Sequence, residues 1–195
     1  METGDEYETR IRTQRSAKEE FFETNPHSPI PEARREAFPG LAYFSVDPAY
    51  RFELELHEYD ETETFTVETS TGGKQEYLRW GEFRFEVDGS EESLQAFKSD
   101  PDEERLWVPF RDETSGEETY GAGRYLDLEP ESHRTDDGRW LLDFNEAYNP
   151  TCAYNEAYEC PLIPMDNWLD VRIEAGEKAY PGEPVEPVGH DHHDE

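Results

Sequence analysis

The sequence predicts a mainly β protein, an antiparallel meander forming a small barrel or sandwich, with one or two N-terminal helices. Three observations support this class. Apolar and polar residues alternate with a period of two through most of the central part of the chain. Clusters of Gly, Asp, Ser and Thr recur between these stretches as turn signals. The length of 195 residues suits one domain with its own core.

Two helices are expected ahead of the strands. Residues 4–22 are rich in Glu and Arg and carry a thin apolar stripe formed by Tyr7, Ile11 and Phe22. The stretch "PEARREAFPG" predicts a second, short helix, because proline fits a first helical turn and the later Pro-Gly pair ends it. We assign residues 1–40 to an N-terminal helical arm.

Seven to nine strands are expected in residues 41–180. The first is "YRFELELHE", in which every second residue is apolar. Later strands are predicted at "FRFEV", "LWVPF", "RWLLDF" and "WLDVRIEA", with turns at "TGGK", "VDGS", "DETSGEE" and "TDDGR". Residues 181–195 are predicted to be a disordered tail, since they are rich in proline, acidic residues and histidine.

Charge and aromatic content point in opposite directions. The net charge is −31, from 49 acidic and 18 basic residues, and such a charge with few aliphatic residues is typical of disorder. Aromatic residues nevertheless reach 13%, which indicates a packed core. Concentrated salt reconciles the two, because at about 1 M the screening length is only about 3 Å and crowded carboxylates hardly repel. We therefore interpret the chain as halophilic with an acidic surface, the alternative being an acidic mesophilic protein.

The negative charge argues against two classes of partner. Nucleic-acid binding and docking on anionic lipid both need a basic face, so neither nucleic acid nor a membrane is expected. The N-terminus "METGDEYETRIRTQ" lacks the apolar stretch of a signal peptide, and no run approaches the ~20 apolar residues of a membrane span. We expect a cytoplasmic protein, and the sequence does not indicate its oligomeric state.

Strand parity singles out Arg124. In "TYGAGRYLDL" the side chains of Tyr120, Leu126 and Leu128 share a face with Arg124, which is therefore expected to point inward. A buried arginine needs a carboxylate or an anionic ligand, because an unpaired buried charge is costly. One interpretation is a structural ion pair with Asp143 or another acid. The other is a fork for a bound carboxylate or phosphate.

The stretch "DFNEAYNPTCAYNEAYECPLIP" is the second candidate. It begins at a strand end with Asp143 and Asn145, and it continues through Asn149 and Tyr154. Its three prolines make it stiff, which suits a loop that presents side chains. The structural alternative is that its Asn amides satisfy the carbonyl groups of the loop itself.

These observations together predict a single site at a strand end. Arg124 and Asp143 are expected in one polar cluster, with Tyr120 or Tyr154 beside them and residues 149–161 covering it. Strand ends of small barrels are common places for a pocket.

The two cysteines, Cys152 and Cys160, are eight residues apart. That spacing is too wide for a zinc knuckle, and the pair supplies only two ligands. We expect reduced, buried thiols without metal; a disulfide or redox pair and a metal site are less favoured alternatives. Dinucleotide, phosphate-loop and zinc-protease motifs are missing from the sequence, so we expect no cofactor.

Several motifs resemble those of one uncharacterised family. "PFRDETSGEETYGAGRYLDL", "DFNEAYNPTCAYNEAYECPLIP" and "NWLDVRIEAGEKAY" occur in register with the family called domain of unknown function 1684 (DUF1684). The resemblance covers roughly residues 18–180 and implies no reaction. Members occur among bacteria and salt-loving archaea, which agrees with the charge. Thr151, Ile163 and Trp168 stand where the family has Pro, Pro and Arg. The candidate residues that match its signature are Tyr120, Arg124, Asp143, Asn145, Asn149, Cys152 and Tyr154.

Three functions stay open. The first is a binding module that holds a small polar or anionic metabolite near Arg124 and residues 143–161. The second is an enzyme that uses Asp143 as acid or base, or Cys152 as nucleophile. The third is a structural or interaction protein without a small-molecule site.

Overall fold

The computed structural model describes residues 2–187, and most of the predicted tail, residues 188–195, lies outside them. In the first part of that tail, the Val185 amide donates a hydrogen bond to the Tyr154 carbonyl. The helices and strands are α1 (Gly4–Thr24), β1 (Arg51–Leu54), β2 (His57–Glu68), β3 (Lys74–Val87), β4 (Ser90–Lys98), β5 (Leu106–Phe110), β6 (Arg124–Leu128), α2 (Pro130–His133) and β7 (Trp140–Asp143).

Helix α1 has a capped start and one apolar stripe. The Thr3 hydroxyl accepts a hydrogen bond from the Glu6 amide, and the Glu6 carboxylate accepts one from the Thr3 amide. This capping box satisfies two amides that the helix itself cannot pair. The stripe predicted from the sequence is confirmed, since the buried residues of α1 are Tyr7, Ile11 and Phe22.

The second predicted helix is a turn of 3-10 helix at Glu32–Ala37. Prolines bracket this segment closely on both sides, so a longer α-helix has no room to form. Within residues 2–187, no helix combines the length and the apolar character that a membrane crossing needs.

The strands form two antiparallel sheets. Strands β2 to β6 make a five-stranded sheet in sequence order, and β1 pairs with β7. The predicted meander is therefore confirmed. The two sheets share one core, in which Phe52 of β1 and Phe85 of β3 lie with ring centroids 5.3 Å apart. They do not close into a barrel, so the sandwich alternative fits.

The register of these sheets places the polar candidates. Phe110 of β5 pairs with Arg124 of β6, and Arg51 of β1 pairs with Asp143 of β7. Gly123, just before β6, has a φ of 102°, and a Cβ there would lie 2.6 Å from the Phe110 carbonyl oxygen. Only glycine permits this close approach of two backbones.

One predicted strand, at residues 168–175, is not a regular strand in the structure. Its alternate apolar residues are buried, which explains why the pattern resembles a strand. The carbonyl groups of Ile173 and Ala175 accept hydrogen bonds from the Arg124 guanidinium instead of from a neighbouring strand. The first half of the segment does pair with backbone, since the Leu169 amide donates to the Arg111 carbonyl and the Glu113 amide donates to the Val171 carbonyl.

Candidate functional site

Arg124 lies inside the protein, with 0% of its surface exposed. Strand parity therefore predicted its direction correctly. Its NH2 lies 3.5 Å from Asp112 Oδ1, and the same nitrogen donates to the Ile173 carbonyl at 2.9 Å. NH1 donates to the carbonyls of Ala175 and Glu177. Burial lowers the pKa of Arg124, while the charge of Asp112 opposes that shift.

The structural interpretation, an ion pair with Asp143 or another acid, fits with Asp112 as the acid. The prediction that Arg124 and Asp143 lie in one polar cluster is wrong, because Asp143 bonds instead to Tyr7 and Asn145. Asp112 follows β5 by two residues, so the register that pairs Phe110 with Arg124 brings its carboxylate to the guanidinium. The Ile173 amide also donates to Asp112, at 2.6 Å. Asp112 stands in the motif "RDETSG", which its composition marks as a turn, so parity along a single strand could not identify it.

Asn149 and Tyr154 belong to a second network, centred on Glu177. The Glu177 side chain is 0% exposed. Its carboxylate accepts hydrogen bonds from the backbone amide of Asn149 at 3.0 Å and from the Tyr154 hydroxyl. Lys18 Nζ of α1 lies 2.7 Å from Glu177 Oε1. Burial and the neighbouring Glu177 charge raise the pKa of Tyr154. This network ties α1 to the loop. The Asn149 side-chain nitrogen donates to the Lys178 carbonyl at 2.9 Å, while its Oδ1 is buried without a hydrogen-bond partner among residues 2–187.

Tyr120 and Cys152 form a third group. The Tyr120 hydroxyl lies 3.6 Å from Cys152 Sγ, and the Cys152 amide donates to Cys160 Sγ at 3.2 Å. Both cysteines are buried and are not joined by a disulfide. A hydrogen bond with Cys160 lowers the pKa of Cys152 to about 6, and the same bond raises the pKa of Cys160. Only 7% of the Cys152 surface is exposed, so this lowered pKa belongs to a buried thiol.

Asp143 and Asn145 lie together at the end of β7. Asp143 accepts hydrogen bonds from the Tyr7 hydroxyl at 2.6 Å and from the Asn145 side-chain amide at 2.9 Å. The Asn145 side chain also exchanges hydrogen bonds with the backbone of Asp47. Burial raises the pKa of Asp143, and the hydrogen bonds from Tyr7 and Asn145 oppose that rise.

A polar cleft of about 360 Å³ opens above Asp143. Its other charged or titratable lining residues are Arg10, Arg51, His133, Glu146 and Glu2. Among residues 2–187, the lining includes none from the stretch 149–161, which the sequence predicted to cover Asp143.

His133 and Glu146 form a pair in the wall of this cleft. The Glu129 amide donates to His133 Nδ1 at 3.0 Å, so Nε2 carries the proton and donates to the Glu146 carboxylate at 2.8 Å. Burial alone would lower the pKa of His133, but the hydrogen bond and charge of Glu146 outweigh it and raise the pKa. The reciprocal bond lowers the pKa of Glu146 against its own burial.

Two arginines meet one carboxylate at the cleft. Arg10 Nε lies 2.8 Å from Glu2 Oε1, and Arg51 NH1 lies 3.6 Å from Glu2 Oε2. Arg10 also lies 3.6 Å from Glu146. Arg51 comes from the polar face of β1 and Arg10 from α1, so only the docking of α1 beside the β1–β7 pair brings them together. Sequence reasoning missed both residues, because neither stands near Asp143 in the chain.

The model of the family described as "Protein of unknown function (DUF1684)" matches residues 36–178, which is most of the chain. The chain belongs to the DUF1684 family. The resemblance seen in the sequence motifs is thus confirmed. No curated protein matches this DUF1684 chain.

This DUF1684 protein is also similar to a solved structure, the solution NMR structure of an uncharacterised protein from Haloarcula marismortui. The two sequences are 40% identical, and the match covers 89% of this chain and 95% of the other with a TM-score of 0.68. The relative comes from a haloarchaeon, which agrees with the halophilic interpretation of the charge.

Proposed function

We propose that this DUF1684 protein binds a small polar metabolite that carries a carboxylate and a hydroxyl or amino group. The site is the cleft above Asp143. One observation carries the proposal: the Glu2 carboxylate already lies between the guanidinium groups of Arg10 and Arg51. A ligand carboxylate would take the place of Glu2, since guanidinium forks match carboxylates in shape and charge.

The remaining charges of the cleft define the second half of the ligand. Asp143 and Glu146 are acceptors when ionised, so they favour a hydroxyl or ammonium group near the ligand carboxylate. A dianion that lacks such a group fits less well, because it offers these two carboxylates no hydrogen-bond donor. The sequence-based hypothesis of a small polar or anionic ligand is therefore kept, but its site moves from Arg124 to Arg10 and Arg51.

A catalytic role for Asp143 has weaker support. Both of its carboxylate oxygens already accept hydrogen bonds from Tyr7 and Asn145, and only 2% of the residue is exposed. We therefore assign Asp143 to the floor of a binding site and not to proton transfer.

Isothermal titration calorimetry with L-malate tests the proposal. Malate offers a carboxylate to the two guanidinium groups and a hydroxyl to the acidic side of the cleft. Succinate lacks the hydroxyl and is expected to bind more weakly. Arg51→Gln should lower the affinity for malate about tenfold or more, because a hydrogen bond to a charged group contributes about 1.5–3 kcal/mol.

Glu2→Gln provides the sharpest comparison. Because Glu2 competes for the same guanidinium groups, its neutralisation should tighten malate binding. The matched control is Glu8→Gln on α1, since Glu8 forms an exposed pair with Arg12; this variant should bind malate like the wild type. The proposal fails if malate does not bind, or if neither Glu2→Gln nor Arg51→Gln changes its affinity.

A further inference from the structure

A second groove, of about 340 Å³, lies beside the C-terminal end of β2, at the edge of the five-stranded sheet. Strand β2 contributes Phe65 and Val67 to its lining, and a later stretch contributes Leu162, Met165 and Trp168. Unlike the cleft above Asp143, this groove is lined mainly by apolar side chains.

Three of the apolar residues that line this groove are exposed. Leu162 is 38% exposed, Trp168 44% and Met165 74%. Residues 2–187 contain six exposed large hydrophobic side chains, and these three share one groove. An exposed cluster of this kind on a chain with a net charge of −31 indicates a binding surface.

The groove has a rigid frame. Asn167 is 0% exposed, and its side-chain amide donates to the carbonyls of Gln95 at 3.0 Å and Pro109 at 2.7 Å. The indole Nε1 of Trp168 donates to the Ile163 carbonyl at 3.1 Å, which fixes the orientation of the ring. The exposed side chains are therefore presented by a segment anchored to β4 and β5, so a ligand would find the groove already formed.

Arg111 places a positive charge in this apolar lining. Its guanidinium lies over the Trp168 ring, 4.4 Å from the centroid, and its Nε is buried without a hydrogen-bond partner among residues 2–187. Within the same residues, no carboxylate lies within ion-pair distance of Arg111, although Glu68 also lines the groove. The Arg111 backbone is held by hydrogen bonds with Asn167 and Leu169.

We propose that this groove binds a small amphipathic carboxylate, an aryl or alkyl group that ends in a carboxylate. The apolar part would lie against Phe65, Leu162 and Met165. The carboxylate would form an ion pair with the guanidinium of Arg111. Charge complementarity favours this occupant over a neutral one, which would leave Arg111 unmatched.

Calorimetric titration with 4-phenylbutyrate in about 1 M KCl tests the inference. We expect saturable binding to one site, and at least about tenfold weaker binding of the neutral amide, 4-phenylbutyramide. Arg111→Gln should weaken phenylbutyrate binding by a similar factor, and Trp168→Ala should weaken both compounds. The matched control is Arg134→Gln, because Arg134 also lies over a tryptophan ring, that of Trp140, but outside the groove.

Three results would overturn the inference. The first is wild-type protein that binds no phenylbutyrate. The second is equal affinity for the acid and the amide, which is decided on the wild type even if Arg111→Gln does not fold. The third is a wild-type dimer in sedimentation equilibrium that Trp168→Ala dissociates, since a second copy would then occupy the groove.

Discussion

The charge of Arg124 is held inside the protein by Asp112 and by three backbone carbonyls. Every one of these partners comes from outside β6. The side chain therefore joins β6 to the turn after β5 and to the irregular segment 173–177. Arg124 therefore holds these elements together. Its removal would leave the buried Asp112 carboxylate without a cationic partner.

Arg124→Met should destabilise the protein by about 3–5 kcal/mol, because it leaves the buried Asp112 carboxylate without a cationic partner. Chemical denaturation in high salt measures this loss. Arg12→Met is the matched control, since Arg12 is 72% exposed in its pair with Glu8 and should cost less than about 1 kcal/mol. Equal losses in the two variants would contradict a structural role for Arg124.

The Cys152 thiol should lose its proton at a much lower pH than an ordinary cysteine does. Ultraviolet absorbance of the thiolate is expected to rise with a midpoint near pH 6, matching a pKa of about 6. Cys160→Ala should raise that midpoint, because the hydrogen bond with Cys160 is the main cause of the low pKa. Cys160→Ser keeps a hydroxyl donor and serves as the control. Two thiols that both titrate near the usual value of about 8.5 would contradict the geometry.

At the scale of elements, α1 is attached to the sandwich by Tyr7. Its hydroxyl donates to Asp143 at the end of β7, while Lys18 pairs with Glu177 further along the helix. The helix therefore closes one side of the cleft and supplies Arg10 to it. The position of the proposed ligand site depends on this docking.

Tyr7→Phe should cost about 1.5–3 kcal/mol of stability, because it removes a hydrogen bond to a buried carboxylate. Tyr59→Phe is a matched control: the Tyr59 hydroxyl bonds to Gln95 at an exposed position, so its loss should cost little. Thermal or urea unfolding of the two variants gives the comparison. A Tyr7→Phe variant as stable as Tyr59→Phe would show that Asp143 does not anchor the helix.

The sequence could predict elements but not their docking. Periodicity predicted the stripe of α1, the strands β5 and β7 and the inward direction of Arg124, because each depends on neighbours along one segment. The strands that it predicted do not include β4, and they join β1 and the start of β2 into one. It could not place Arg10 and Arg51 over Asp143, because that contact depends on how α1 packs beside the β1–β7 pair. The segment 168–175 resembles a strand because its burial follows period two, but the carbonyls of Ile173 and Ala175 accept hydrogen bonds from Arg124.

At the scale of the whole molecule, the net charge of −31 should make stability depend on salt. We predict cooperative folding above about 1 M KCl and loss of tertiary structure in dilute buffer, where carboxylate repulsion is unscreened. Thermal melts followed by near-ultraviolet circular dichroism over a KCl series measure this. A melting temperature that is independent of salt would contradict the halophilic interpretation.

The central claim is that the ligand site lies above Asp143 and not at Arg124. The most direct test is an NMR titration of the arginine Nε–Hε resonances with L-malate in high salt. We predict saturable shifts of the Arg10 and Arg51 resonances. The Arg124 resonance should stay unchanged, because its guanidinium is enclosed by protein groups. Saturable shifts of Arg124 with none at Arg10 or Arg51, or no shifts at all, would contradict it.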